Sequence, residues 1–182
     1  PFAPFAKLDG DDYAVSCKIN TRKGSTRIVK AAYEFARKFG RKKVTVVHKA
    51  NVVRATDGLF LDAAREVAKD YPEIQFDEAN IDAMTMWLLK NPFNYDVLVA
   101  PNLYGDVISD LCAQMVGGLG FGCSGNIGDR LAVFEPTHGS APKYAGQYKV
   151  NPIATILTAK MMLEWMGEPE MAQRVEQAVA AV

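Results

Sequence analysis

The sequence predicts an α/β protein with a three-layer arrangement of helices and strands, in which functional sites gather at the C-terminal ends of the strands. Two observations carry this. Short β-rich apolar runs alternate with stretches of helical period along most of the chain, and turn or cap residues punctuate the changeovers. The chain also has 182 residues, enough for one substantial domain, or for one and part of another.

The elements follow in order. Tyr13 to Ile19 alternates after the turn at Asp9-Gly10-Asp11 and reads as a strand. Ile28, Ala32, Phe35, Ala36 and Phe39 fall on one helical face, with Gly40 as the stop and Thr21 or Ser25 as the cap. Val44 to Val47 is a short buried strand, and a helix from about Thr56 to Lys69 is broken by Tyr71-Pro72. Ile74 to Phe76 is a weak strand, and Asn80 or Asp82 begins a helix that ends near Asn91-Pro92. Val97 to Ala100 is another apolar strand, followed by a helix from near Tyr104 to Gly117-Gly118. A glycine-dense loop, Gly117 to Gly128, leads to a strand at Leu131 to Phe134. The polar loop from Glu135 to Val150 ends at Asn151-Pro152, a cap and first-turn signal for a helix to Gly167. Pro169 opens a last helix with Met171, Val175, Ala178, Val179 and Val182 in register, without a stop signal, which suggests a truncated chain.

Composition narrows the function. The net charge is zero, which argues against a dedicated nucleic-acid or membrane-surface binder, since either usually has a basic excess. The basic residues between Arg22 and Lys43, with Glu34 the one acid among them, read as a solvated helix face rather than a polyanion site. Cys17, Cys112 and Cys123 are widely spaced and form no CxxC pair, so neither a disulfide framework nor a structural zinc site is expected. A reducing cytosol fits. Pro1 opens the chain without a Met, which leaves a removed mitochondrial leader open.

Asp106 and Asp110 are the sharpest local anomaly. At i and i+4 of a helix they share a face, and from Asn91 through Asp129 there is no Lys or Arg to neutralise them. A hard divalent cation, Mg²⁺ or Mn²⁺, taking carboxylate oxygens would do so. The alternative is that Asp106 favours a helix N-terminus and Asp110 is solvated. Lys49 follows the apolar run Val44 to Val47, where a central strand empties into a loop. Burial there would suit its amine to proton transfer or anion binding; a plain surface lysine is the competing reading. His48, one of two histidines, reads as structural. In the loop Thr137 to Gly146, glycines permit close ligand approach, Ser140 and nearby amides can bond phosphate oxygens, Lys143 adds positive charge and Tyr144 a hydroxyl or stacking face. It is not a GxGxxG fingerprint, and a well-ordered connection is the competing reading.

Together these segments resemble the isocitrate/isopropylmalate dehydrogenase family. The matching segments are HKANVVRATDG (His48 to Gly58), NLYGDVISDLCAQMVGGLGF (Asn102 to Phe121), SGNIGD (Ser124 to Asp129), EPTHGSAPKYAG (Glu135 to Gly146) and NPIATILTAKMMLEWMG (Asn151 to Gly167). The resemblance covers nearly all of the chain after Thr21 and implies a partial isopropylmalate-dehydrogenase-like α/β/α fold. Residues 1–134 would lie mainly in the substrate and dimerisation domain, with an intersubunit β layer near residues 12–20; residues 135–182 would return into the cofactor domain.

The family oxidises a 2-hydroxy acid with a nicotinamide cofactor and then loses CO₂ from the β-keto acid. By resemblance, Asp106 and Asp110 would be metal ligands, and Asp82 would complete the site from the partner subunit of a homodimer. Lys49 would match the lysine that assists hydroxyl deprotonation, and Asn51 a substrate-contacting asparagine. His138, Gly139, Ser140, Ala141, Lys143, Tyr144 and Asn151 would match the adenosine-binding segment. Isopropylmalate-type enzymes tend to have Phe where Tyr104 stands and to lack the SGNIGD style of loop, which favours isocitrate. Lys143-Tyr144 resembles the pair that receives a 2′-phosphate, which favours NADP over NAD. NAD-dependent isocitrate, homoisocitrate or 3-isopropylmalate oxidation, and a non-catalytic regulatory subunit, are the alternatives. The family's upstream Ser/Asn and arginine cluster and its catalytic Tyr have no counterpart in Pro1 to Gly10, so the chain alone is expected to be inactive.

Overall fold

The computed structural model describes residues 16–182. The chain divides into two compact units, one ending at Tyr104 and the other running from Gly105 to Val182.

In the first unit, β1 (Lys43–His48) is the centre of a parallel sheet, with β2 (Gln75–Asn80) on one side and β3 (Val97–Val99) on the other. Five consecutive residues of β1, Val44 to His48, are buried, as happens when a strand is covered on both faces. Val44 and Val46 pack with α1 (Arg22–Lys38) and α2 (Arg54–Ala68) in one core that holds Val29, Tyr33, Phe60 and Ala64. The pleat turns Thr45 and Val47 to the opposite face. α3 (Ile81–Lys90) packs on β1 and β2 and buries Met84 and Leu88. The α/β class, and the elements read from Val44 to Ala100, agree with the sequence.

α1 forms where expected, and Ala36 and Ala32 of the expected face turn to the core, but the rest of that face does not. Thr21 caps it, its Oγ1 accepting from the Gly24 N–H at 3.1 Å, and Gly40 ends it in the left-handed region at φ +64°. The buried stripe is Ser25, Val29, Tyr33 and Ala36, whereas Ile28, Phe35 and Phe39 remain 48%, 50% and 42% exposed. Both sets repeat at helical spacing. Tyr33 decides between them, because its ring packs on Tyr71 at 4.9 Å between centroids and commits that face to the core. The strand expected at Tyr13 to Ile19 falls partly outside the described residues, and its described part, residues 16–19, carries no regular structure. Among the described residues no strand pairs with that segment, so its backbone has no ladder to join.

α4 (Asn102–Met115) straddles the division between the units. The second unit then contains β4 (Cys123–Ile127) and β5 (Ala132–Pro136), paired antiparallel, with α5 (Ile153–Met166) packed on both strands. The sequence placed a loop where β4 lies. Gly125 sits in that strand because a Cβ there would meet Met161 Sδ and the Phe134 ring, each at 3.2 Å. The Asn151 Oδ1 accepts from the Ile153 N–H at 2.9 Å and starts α5; Gly167, at φ +85°, ends it. α6 (Pro169–Ala180) pairs with α5 and turns Ala172, Val175 and Val179 inward, leaving Met171 and Ala178 exposed. The helix ends at Ala180 rather than continuing to Val182. Among the described residues no helix is long and apolar enough to cross a membrane.

Candidate active site

β1 delivers Lys49 at its C-terminal end, and the turn after it is heavily braced. The Lys49 N–H donates to Asp57 Oδ2 at 2.8 Å, and its carbonyl accepts from the Val52 and Val53 N–H groups at 3.0 and 2.8 Å. His48 is buried, and its Nδ1 accepts from the Ala50 N–H at 3.0 Å, which requires a neutral ring with hydrogen on Nε2. Burial holds the His48 pKa below its usual 6.5, in accord with its structural reading.

The Lys49 side chain reaches across to α3, where Nζ meets Asp82 Oδ1 at 2.5 Å. Lys49 is 23% exposed and ion-paired, so it is not the isolated, apolar-buried lysine considered from the sequence. The hydrogen bond from Lys49 holds the Asp82 carboxyl below its ordinary range. A carboxylate has about four acceptor positions, so the bond to Lys49 leaves Asp82 oxygens available to a cation. Asn51 is exposed in the same β1–α2 turn.

Asp106 and Asp110 stand exposed one turn apart on α4, and among the described residues neither has a salt-bridge partner. Their oxygens are the hard donors that Mg²⁺ or Mn²⁺ takes, so the pair fits such an ion. Two carboxylates do not complete a site, and no group of three or more His, Cys, Asp or Glu among the described residues could hold a metal. A hard divalent cation takes about six oxygen ligands, so the two carboxylates would be only part of its shell.

In the second unit, His138, Gly139, Ala141, Tyr144 and Asn151 line one pocket of about 790 Å³. Its other wall is Gly117 to Phe121, a contribution the sequence reading missed even though that run of glycines could have signalled close approach. Gly120 has Asn151 Cβ only 3.0 Å from where its own Cβ would be. His138 Nδ1 lies 2.8 Å from the Gly139 carbonyl, which can only accept, so Nδ1 carries the hydrogen. In the neutral ring Nε2 is then an acceptor, buried and, among the described residues, without a partner, so a ligand hydrogen-bond donor would satisfy it. Ser140 and Lys143 are exposed and do not line the pocket; the Lys143 ammonium lies 4.9 Å from the Tyr144 ring centroid.

Asp57 is the residue that sequence reasoning overlooked. It is fully buried in the first turn of α2, and its carboxylate accepts from Lys18 Nζ and the Lys49 N–H. Burial opposes its charge, yet these hydrogen bonds outweigh burial and hold the carboxyl below its ordinary value. In the sequence it stood only inside the segment His48 to Gly58, with no mark of burial.

A family model described as isocitrate/isopropylmalate dehydrogenase matches residues 5–182. The chain is 52% identical over 168 residues to a 3-isopropylmalate dehydrogenase of Archaeoglobus fulgidus, covering 92% of this chain and 52% of that protein. It is 54% identical over 164 residues to a probable isocitrate dehydrogenase [NAD] subunit alpha, mitochondrial, of Caenorhabditis elegans, covering 90% of this chain and 46% of that protein. The crystal structure of isocitrate dehydrogenase from Methylococcus capsulatus superposes with a TM-score of 0.89 at 48% identity, covering 94% of this chain and 51% of that one. The chain thus spans about half the length of these relatives. It belongs to the isocitrate/isopropylmalate dehydrogenase family.

Proposed function

We propose that the full-length protein containing this chain carries out metal-dependent oxidative decarboxylation of isocitrate to 2-oxoglutarate with NADP. The observation that carries it is the Lys49–Asp82 pair, a proton-transfer group and a metal-ligand candidate held together at one strand end. When bound, a divalent cation would acidify the substrate hydroxyl and a nicotinamide would accept the hydride. Asp106 and Asp110 of one copy, with Asp82 of a second, would hold the cation. Lys49 would assist deprotonation of the hydroxyl, its amine passing a proton to solvent before it accepts the one from the substrate, and Asn51 donates to the substrate. His138 Nε2 accepts from the adenine amine, Gly117 to Gly120 let backbone approach the cofactor, and Lys143 with Tyr144 receives the 2′-phosphate.

A homodimer suits the exposed apolar side chains of the first unit. Met86, Leu89 and Phe93 are 53%, 65% and 99% exposed, which is costly for α3 and its following turn unless another chain covers them. A second reading is favoured by the relatives themselves, which include a 3-isopropylmalate dehydrogenase and an NAD-type subunit. One substrate panel separates the two. The full-length protein is assayed with isocitrate, homoisocitrate and 3-isopropylmalate, each with NADP and NAD, in Mn²⁺. Highest kcat/KM for isocitrate with NADP is expected; highest kcat/KM for another pair replaces the substrate or cofactor assignment.

A further inference from the structure

Both peptide groups that flank the Lys49 Cα are fixed. Its carbonyl is held by the Val52 and Val53 N–H groups, and its N–H by Asp57 Oδ2 at 2.8 Å. With the main chain pinned on both sides, only side-chain torsions separate Lys49 Nζ from Asp82. Asp57 has no exposed surface, and a charge so buried is costly unless it is matched. Its match is Lys18, whose ammonium also lies 4.4 Å from the Tyr104 ring centroid. Thr56 Oγ1 adds a longer contact at 3.4 Å, and the Thr56 carbonyl accepts from Asn20 Nδ2 at 2.9 Å, which fastens the Lys18 segment to α2.

The simplest structural role for an acid in a first helical turn is to satisfy the free N–H groups of its own helix. Asp57 does not do this. Its hydrogen-bond partners among the described residues are Lys18, Thr56 and the residue at the strand end. A buried charge spent on the backbone of one residue, in place of its own helix, is an arrangement for placing that residue.

We propose that Asp57, held by Lys18, is a positioning residue that sets the Lys49 amine at the reacting centre. The inference rests on the reading of Lys49 as the proton-transfer group.

The test is a double-mutant cycle in the full-length protein, with Asp57→Asn made alone and in a Lys49→Met background. Turnover, cofactor Kd and unfolding midpoint are measured for each. With Lys49 present, kcat falls roughly tenfold or more, as sub-ångström misplacement of a reacting group produces. With Lys49 gone, Asp57→Asn changes kcat by less than about twofold, because the two act as a unit. Cofactor Kd stays within about twofold throughout. An equal loss in both backgrounds, or no loss in either, overturns the proposal. If Asp57→Asn does not fold, Lys18→Met breaks the same carboxylate's ion pair from its solvent side and runs through the same cycle with the same two outcomes. A crystal structure of the variant supplies a readout independent of turnover. Lys49 Nζ should move from Asp82 by about 1 Å or more, and an unmoved Nζ refutes positioning. Wild-type protein that turns over no 2-hydroxy acid refutes the catalytic reading of Lys49, and the displacement still decides the role of Asp57.

Discussion

Substituting Gly122→Ala tests how tightly β4 and β5 hold the pocket loop. A Cβ at residue 122 would lie 2.3 Å from Thr137 Oγ1 and 3.3 Å from Thr137 Cβ and Cγ2. Carbon and oxygen atoms tolerate nothing near 2.3 Å, so Thr137 must move by about 1 Å or change rotamer. Either response breaks its bonds to Gly122, where the Thr137 N–H and Oγ1 donate to one carbonyl at 3.1 and 3.2 Å. Overpacking costs about 1–3 kcal/mol, and one lost hydrogen bond costs about 1 kcal/mol more. The expected destabilisation is therefore about 2–4 kcal/mol. His138 follows Thr137 directly, so NADP affinity should weaken at the same time. Gly139→Ala is the control. Among the described residues nothing beyond its chain neighbours lies within 4 Å of its added Cβ, and its stability should change by no more than about 0.5 kcal/mol. Denaturant unfolding of the full-length variants gives the stabilities, and fluorescence titration the nucleotide Kd. A Gly122→Ala variant as stable as wild type, or a Gly139→Ala variant as damaged as it, would refute this packing account.

Lys143→Asp with Tyr144→Ile replaces a cation by an anion beside the proposed 2′-phosphate. The ratio of kcat/KM for NADP over NAD should fall by about tenfold or more; an unchanged ratio sinks the NADP assignment. His48 predicts a pH dependence whose sign follows from its depressed pKa. The unfolded chain binds the proton more readily, so stability is complete above 6.5 and is lost as pH falls through 6.5 towards the lower folded value. Unfolding free energies measured from about pH 7.5 to pH 5.5 should decline. His48→Asn, whose Oδ1 can still accept from the Ala50 N–H, should flatten the decline, and an equal slope in both proteins would exclude His48 as its source.

Strands and helices with strong local signals were legible in the sequence. β1 was a continuous apolar run, and Asn151-Pro152 marked the start of α5 because the cap is a local interaction. Whatever depended on distant partners was not. β4 has a glycine at its centre, and its strand geometry comes from β5 and Met161 rather than from its own side chains. The inward face of α1 was set by Tyr71, far along the chain. Asp106 and Asp110 stood out because no base lies near them in sequence, whereas their exposure on α4 shows only in the fold. The Lys49–Asp82 contact was likewise out of reach, since it joins a strand end to a different helix. Asp57 was hidden because burial of an acid, and the partners that permit it, exist only in the fold.

Calorimetric titration of Mn²⁺ into the full-length protein in the presence of isocitrate addresses the central claim most directly. The wild-type protein should bind one Mn²⁺ per site, and Asp106→Asn, Asp110→Asn and Asp82→Asn should each weaken binding by about tenfold or more. Equal Mn²⁺ affinity in the wild type and all three variants would contradict a shared carboxylate metal site and the metal-dependent chemistry built on it.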